Sequence, residues 1–555
     1  MSLAILSLLV VAHLADPGDA VRYAHLKEEI AAAKDLKTAK PLMEEAVKLY
    51  AQDGDLWWQL GRARLQAKEY DAGIDAYQRA LKFGAQGNKF RAGAFYDLAC
   101  AYALKGEKEK AFSFLAQSLD AGFRDLQHVR EDTDLQSLHA DKRWVDLAAT
   151  KDVTKMSRVE GWRYDLWLLN REVSRIHLNP YTRYTKAEQE AWVRKLNADI
   201  PRMTDHQIQV AFMHYMRRVN DGHSSIRPNH ATPNPSIPVQ FAWFEEGLVV
   251  TAADPKYREL LGGKVVKIAG HPIGEVMAKL DEIIPQDNSQ DLLARSPRYL
   301  TIPAMLHGIG FMPDRDEVEL TVQTEDGSPR TVTVRTEKEQ DQSKWVACRD
   351  QSEAASPAYL KHRDKPYWFE PMPELRAVYM QYNAVRNDPA EDTAAFSRRL
   401  LDYIDGHDVD RLIVDDRWNG GGNSFLNLPI VNGIIGCKKI QGHGHLFVIT
   451  GRNTFSAAQN FTTDIGRACD PIYVGEPTGS SPNFVGESVA FSLPYSKLEG
   501  FVSDLYWQRS WPMDFRTWIA PDLPAAPRFD LYRANRDPAM EAVAAYLKAA
   551  AGAKG

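Results

Sequence analysis

Apolar positions along this chain follow two periodicities, and the change from one to the other divides it. From about Glu28 to Thr150 they recur at helical spacing, and the recurrence itself repeats. Trp57, Leu60 and Gly61 are followed by Gly73, Tyr77 and Ala80; later Phe95, Leu98, Ala99 and Tyr102 are followed by Ala111, Leu115 and Ser118. Each set reads as a helix with a large residue and a small crossing residue, packed on a second helix. Leu42 to Tyr50 and Phe123 to Leu147 predict flanking and capping helices, because two such pairs alone bury too little surface. Arg158 to Val219 continues helical. Thr204 is the expected N-cap of a last segment, whose apolar face is Ile208, Ala211, Phe212, Tyr215, Met216 and Val219. Gly222 is its expected C-terminal cap, which leaves His223 projecting from the loop that follows.

Beyond the proline-punctuated stretch His230 to Pro238 the pattern turns to short β runs. Phe241 to Thr251 reads as one strand region and Lys264 to Ile268 as another; Glu317 to Val322 pairs with Thr331 to Thr336 across Asp326-Gly327. Ile273 to Ile284 reads as a helix among them. Asp341 to Tyr367 is polar and reads as a connecting loop. A core then begins at the strand Ala377 to Tyr382 and the amphipathic helix Pro389 to Tyr403. Three apolar strands follow, Leu412–Val414, Leu446–Ile449 and Ile472–Val474, each stopping at small or turn-forming residues. The first two lead into helical patterns, a layout that gathers functional groups at strand ends. Phe501 to Ile519 reads as aromatic, proline-rich β structure, and Pro538 to Ala550 as a terminal helix.

Length changes this picture most: 555 residues exceed one hydrophobic core, so several domains are expected. The net charge of −6, with no long basic run, argues against a nucleic-acid partner. Cys100, Cys348, Cys437 and Cys469 are scattered without metal-ligand spacing, so they are expected as buried small residues, with no thiolate metal site and no disulfide framework. Leu3 to Leu14 has the length of a signal-peptide core, and Ala20 would suit a signal peptidase. On that reading residues 1–20 are removed and the protein is extracytoplasmic, periplasmic or secreted, although no basic residue precedes the apolar run.

Candidate chemistry centres on Ser456, which sits after a strand and before the helical run Ala457 to Ile465. A Ser at a helix start is ordinarily an N-cap. Here small neighbours leave room for a substrate. The Ala457 amide lies at the positive end of a helix, and Gly420 to Gly422 can bring bare N–H groups to the same point. Two such donors make an oxyanion hole. A phosphate loop would need a Lys-Ser/Thr pair after the glycines, and Asn423-Ser424 follows instead.

Three runs together, Asp415 to Asn423, Thr454 to Ala458 and Gly475 to Gly479, resemble the tail-specific, or C-terminal-processing, serine peptidases. Asp221-Gly222-His223 is similar to the corresponding run in their tricorn-core-like branch. The resemblance spans roughly residues 200 to 500. It implies a multidomain α/β protein: a crotonase-like ββα core over 366–555, a helical lead-in over 151–235 and a small α+β, PDZ-like module over 236–340. The helical repeats over 21–150 are similar to tetratricopeptide repeats. The implied activity is peptide-bond hydrolysis through an acyl-enzyme, on extended protein or peptide substrates, with no metal or organic cofactor; the helical repeats read equally as a groove for a peptide or protein partner and as a rigid spacer. Ser456 is then the nucleophile, and Gly421 and Ala457 are the oxyanion donors, with Gly422 as the alternative to Gly421. The processing branch uses a Lys base soon after the Ser, but the first Lys after Ser456 is Lys497, so His223 is the implied base. Glu487 matches the acidic position, with Glu476 and Asp221 as rivals; a Ser that precedes the His in tricorn-like enzymes is Gly222 here. Gly422, Tyr379 and Asn383 are candidate substrate contacts.

Overall fold

A computed structural model describes residues 16–85, 90–123, 125–148, 151–228, 234–337 and 340–552. The apolar run Leu3–Leu14 and part of the His230–Pro238 stretch lie outside them. The chain divides into two units, Met1–Lys155 and Met156–Gly555.

In the first unit, six helices follow one another: α1 (Pro17–Ala32), α2 (Leu36–Leu49), α3 (Gly54–Gln66), α4 (Tyr70–Phe83), α5 (Phe90–Leu104) and α6 (Lys108–Asp120). Gly61 is the small crossing residue between α3 and α4, since a Cβ there would fall 2.6 Å from the Tyr77 ring. Val129, Leu135, Leu138 and Trp144, from short helical turns after α6, close the core around Leu98, Tyr102 and Leu115.

The second unit opens with α7 (Arg158–Ile176) and α8 (Asp205–Val219). Thr204 caps α8 through the Gln207 amide, with Gln207 bonding back. The helix ends at Asn220 (φ 72°) rather than at Gly222. Asn tolerates the left-handed conformation, and the Asn220 side chain is tied down by Arg217, which donates to it at 2.9 Å. A short strand β1 (Ser225–Arg227) follows.

An antiparallel sheet comes next, in the order β2 (Val239–Phe244), β3 (Gly247–Ala253), β4 (Lys264–Ile268), β5 (Glu317–Gln323) and β6 (Pro329–Arg335), with two short added strands. The single strand region expected at Phe241–Thr251 is a hairpin, turned at Glu245-Glu246. The β5–β6 pairing matches expectation, with Thr321 opposite Thr331. Helix α9 (Ser289–Tyr299) packs on β2, and the Trp243 indole donates to Ser296 at 2.9 Å.

The third layer is a six-stranded sheet. Its strands are β7 (Tyr367–Met372), β8 (Ala377–Tyr382), β9 (Arg411–Asp415), β10 (Leu446–Thr450) and β11 (Ile472–Gly475). After a long hairpin of β12 (Asn483–Ser492) and β13 (Glu499–Gln508), the short β14 (Leu523–Pro524) completes it. The order is β14-β11-β10-β9-β8-β7, parallel except where β7 meets β8. Val378, Met380, Leu412, Val414 and Val448 face α10 (Thr393–Gly406), α11 (Leu428–Gly436) and α12 (Ala457–Ala468). Tyr379, Ile413, Phe447 and Ile449 point to the other face, against α13 (Pro538–Gly552). Burial on both faces is why these strands read as unbroken apolar runs. The β12–β13 hairpin forms a separate ribbon, in which β1 adds to β13 with Ser225 opposite Phe501. The whole is a multidomain α/β architecture. Cys100 and Cys437 are buried as expected, whereas Cys348 and Cys469 are half-buried.

Candidate active site

Ser456 occupies the sharp turn between β10 and α12 at φ 57°, ψ −122°, and its hydroxyl makes no capping hydrogen bond. The dull explanation of a Ser at a helix start therefore fails. That backbone region is costly for any residue with a Cβ, and the surrounding chain imposes it. Phe455 N–H donates to the Asn419 carbonyl at 3.1 Å, and Asn460 N–H to the Ser456 carbonyl at 3.0 Å. The Thr454 hydroxyl ties the turn to the Asp416 carbonyl at 2.9 Å. Gly421 (φ 99°) lies against this turn: a Cβ there would fall 2.7 Å from Ser456 Cβ and 2.8 Å from the Ala457 nitrogen.

The two sequence-predicted oxyanion donors differ. Ala457 N–H, at the first position of α12, meets no acceptor among the described residues. Gly421 N–H is already engaged by the Asn419 side-chain oxygen at 3.0 Å. Gly422 N–H, the stated alternative, has no acceptor among the described residues. Beneath the turn the Asp416 carboxyl is fully buried and accepts from the Thr462 hydroxyl at 2.9 Å. Burial raises it well above the usual carboxylate range, which favours the neutral acid.

His223 reaches this region from the other side. Its ring stacks on Phe455, the neighbour of Ser456, with centroids 4.4 Å apart, and on Phe484 of β12 at 5.3 Å. Both ring nitrogens are buried without a hydrogen-bond partner, so no hydrogen bond joins His223 to Ser456. Burial pushes the imidazole down to about 4; the Asp221 carboxylate pulls it up, and the Arg295 charge adds to the fall. The ring is therefore held neutral. The peptide at His223 is bonded on both sides: its N–H donates to Asp221 Oδ1 at 2.8 Å, and its carbonyl accepts from the Ser488 hydroxyl at 2.9 Å.

Among the described residues, no carboxylate accepts a hydrogen bond from the ring. Glu487 is exposed, sits at φ 61° in β12, and is not brought to the imidazole. Glu476 is paired with Arg452. Asp221 serves the main chain, accepting the N–H groups of His223 and Ser224, and burial is outweighed by the donors around it, so it stays below the usual carboxylate range.

Two expected substrate contacts must be corrected. Tyr379 is fully buried, and its hydroxyl donates to Asp415 at 2.6 Å, because its position on β8 faces the α13 side of the sheet. Asn383 spends its side chain on the carbonyls of His362 and Lys365, which pins that loop rather than a ligand.

Several groups here escaped sequence reasoning. Asp287 Oδ1 accepts Gly222 N–H at 2.7 Å, and its other oxygen accepts from Ser480. A Cβ at Gly222 would lie 2.9 Å from Asp287, 2.9 Å from the Phe455 ring and 3.0 Å from Asp291. Burial raises Asp287 to about 7, with the Asp291 charge adding to it, and burial raises Asp291 to about 6 against the pull of Arg295. Arg295 pairs with Asp291 and lies over the Phe455 ring, 4.9 Å from its centre. The available signal was Asn288-Ser289-Gln290-Asp291, an N-cap signature: Asn288 does cap α9.

No protein-family model matches the chain, and no curated protein matches it. Among solved structures, mature CPAF complexed with lactacystin is similar with a TM-score of 0.50 at 11% identity, covering 71% of this chain and 97% of that one. The photosystem II D1 C-terminal processing protease has a TM-score of 0.33 at 13% identity, over 68% of this chain and 98% of its own. For the tricorn protease the values are 0.34 and 13%, over 71% and 37%. The likeness to mature CPAF is one of fold.

Proposed function

We propose that this chain is a serine peptidase of the tail-specific type, hydrolysing peptide bonds in extended protein or peptide segments. One observation carries the reading. Ser456 is an uncapped hydroxyl on a strained strand-to-helix turn, with the unengaged amide of Ala457 next to it in the chain and Gly421 packed against the turn. The motif resemblance and the fold likeness to mature CPAF agree with it.

In this mechanism Ser456 Oγ attacks the scissile carbonyl carbon and its proton passes to a ring nitrogen of His223. Burial keeps that nitrogen free to accept it at neutral pH. Ala457 N–H and Gly422 N–H hold the oxyanion; Gly421 N–H takes part only by giving up Asn419. Collapse expels the amine, which takes the proton from His223, and water then cleaves the acyl-enzyme by the same path in reverse. To reach Ser456 the imidazole must rotate out from between Phe455 and Phe484. Glu487 would complete the group only if β12 moved. The sheet of β7 to β11 and β14 with its helices is the crotonase-like core on this reading, and residues 236–340 are a PDZ-like module. The helical repeats recruit a protein partner, and the N-terminal run directs the chain out of the cytoplasm.

A non-catalytic ligand- or peptide-binding role is favoured by the missing His223–Ser456 hydrogen bond. Labelling with a fluorophosphonate probe separates the two. The peptidase reading requires labelling of the full chain that disappears in Ser456→Ala; equal labelling of both, or of neither, removes it. Lactacystin, the compound in the CPAF complex, is expected to compete with that label.

A further inference from the structure

His177 immediately follows α7, far in sequence from every motif described above, yet its side chain is only 2% exposed. Asn179 N–H donates to its Nδ1 at 3.0 Å, which requires a lone pair there. The ring proton therefore sits on Nε2, which donates to Asp221 Oδ2 at 3.0 Å.

Asp221 receives donors unevenly. His177 is the one donor to Oδ2 among the described residues, while Oδ1 accepts from His223 N–H at 2.8 Å, Ser224 N–H at 2.6 Å and the Ser503 hydroxyl at 2.7 Å. The three donors on Oδ1 all belong to the structure around His223. Ser503 lies on β13, whose partner strand β12 supplies Ser488 to the His223 carbonyl and Phe484 to one face of its ring. Ser224 and Ser503 are also tied directly, Ser503 N–H donating to the Ser224 hydroxyl at 3.0 Å. A carboxylate can pivot about its Cβ–Cγ bond, and any pivot here loosens three bonds at once. The N–H of His177 holds the opposite oxygen against that pivot.

We propose that His177 is a positioning residue: acting through Asp221, it sets the main chain from which the His223 ring is presented, without touching substrate. The proposal rests on the reading of Ser456 and His223 as nucleophile and base.

The test uses the full chain with H177L, H177Q and S503A, and three readouts. These are the fluorophosphonate inactivation constants at Ser456, the thermal midpoint, and the His223 Hε1 resonance in histidine-labelled protein. H177Q retains an N–H for Asp221; H177L does not. At a temperature where all are folded, H177L is expected to lose about 10- to 100-fold in the maximal inactivation rate with probe affinity little changed, and H177Q about threefold or less. The His223 resonance should move in H177L and S503A and stay near its wild-type position in H177Q. Wild-type labelling by H177L, or equal slowing of H177L and H177Q with an unmoved His223 resonance, overturns the proposal. Should H177L not fold, S503A decides by the same two readouts. Should the wild-type chain itself resist the probe, the peptidase reading fails instead. The resonance then judges the positioning role alone: moved by H177L but not by H177Q supports it, and unmoved by either overturns it.

Discussion

The chain holds Ser456 and His223 by opposite means. At Ser456 the main chain is strained, at φ 57°, and the side chain is free of partners. At His223 the N–H and the carbonyl are both bonded to side chains, while the two ring nitrogens are buried without a well-formed hydrogen bond, the Val485 backbone being the one main-chain group that acts on the ring. The first arrangement stores its cost in the backbone, so the hydroxyl is held in place without a hydrogen bond of its own. The second stores its cost in a desolvated ring, so the imidazole stays neutral and can be redirected by rotating one side chain.

The largest effect expected from breaking this pair is chemical. Ser456→Ala should lower hydrolysis of an unstructured protein substrate by about ten-thousand-fold or more, because the nucleophile is removed and only binding and oxyanion donors remain. Its thermal midpoint should stay close to that of the parent chain, since no hydrogen bond of the hydroxyl is lost. Gly421→Ala comes next. Its new Cβ would fall 2.7 Å from Ser456 Cβ on a residue at φ 99°, so the turn must shift. A fall of about 100-fold in labelling and a loss of about 2–4 kcal/mol in denaturant titration are expected. An unchanged labelling rate would mean that the turn is not aimed by this contact.

How much of this was legible follows the same division. The strands at Ala377–Tyr382, Leu446–Thr450 and Ile472–Gly475, and the β5–β6 hairpin, could be read because each is a local apolar run bounded by turn residues. The sharp turn at Ser456 was legible for the same reason, since Gly420–Gly422 and Thr454–Ala458 are short motifs. The surroundings of His223 come from residues 177, 221–224, 287–295, 455, 484–488 and 503, and no periodicity links such segments. Strand β7 went unread: it begins at Tyr367, where the expected loop ends, lies before the expected start of the core, and contains Pro371, which an edge strand tolerates. Tyr379 was expected as a substrate contact. Alternation on a sheet buried on both faces turned it inward instead.

The His223 side of the comparison is sharpened by pH. Its imidazole titrates near 4 when folded, against about 6.5 unfolded. Between those values the unfolded chain binds more protons, so stability is fully present above about 6.5 and falls as pH drops toward about 4, by about 3 kcal/mol in all. Asp287, at about 7, and Asp291, at about 6, run the other way. They are protonated more readily in the folded chain, so their contribution is present below about 3.9 and is lost as pH rises through 6 to 7. The raw profile therefore mixes opposing slopes, and the useful quantity is the difference between wild type and His223→Phe, which keeps an aromatic ring between Phe455 and Phe484. The variant should gain on wild type steadily from pH 6.5 down to 4 in chemical denaturation, and a flat difference would mean that the ring is not desolvated.

The smallest effect tests the backbone strain itself. Ser456→Ala and Ser456→Gly both remove the hydroxyl, so they are equal as far as chemistry is concerned. They differ in what φ 57°, ψ −122° costs them: Ala keeps a Cβ that this region disfavours, and Gly does not. In an unstrained helix start, Gly would be the less stable of the two, because it loses more freedom on folding. Here the order should invert, with Ser456→Gly more stable than Ser456→Ala by about 1 kcal/mol in equilibrium denaturation. Measuring the two in the inactive background removes self-cleavage as a source of difference. Should Ser456→Ala prove the more stable, the turn would not be strained in solution, and the contrast with the relaxed, fully bonded peptide at His223 would disappear.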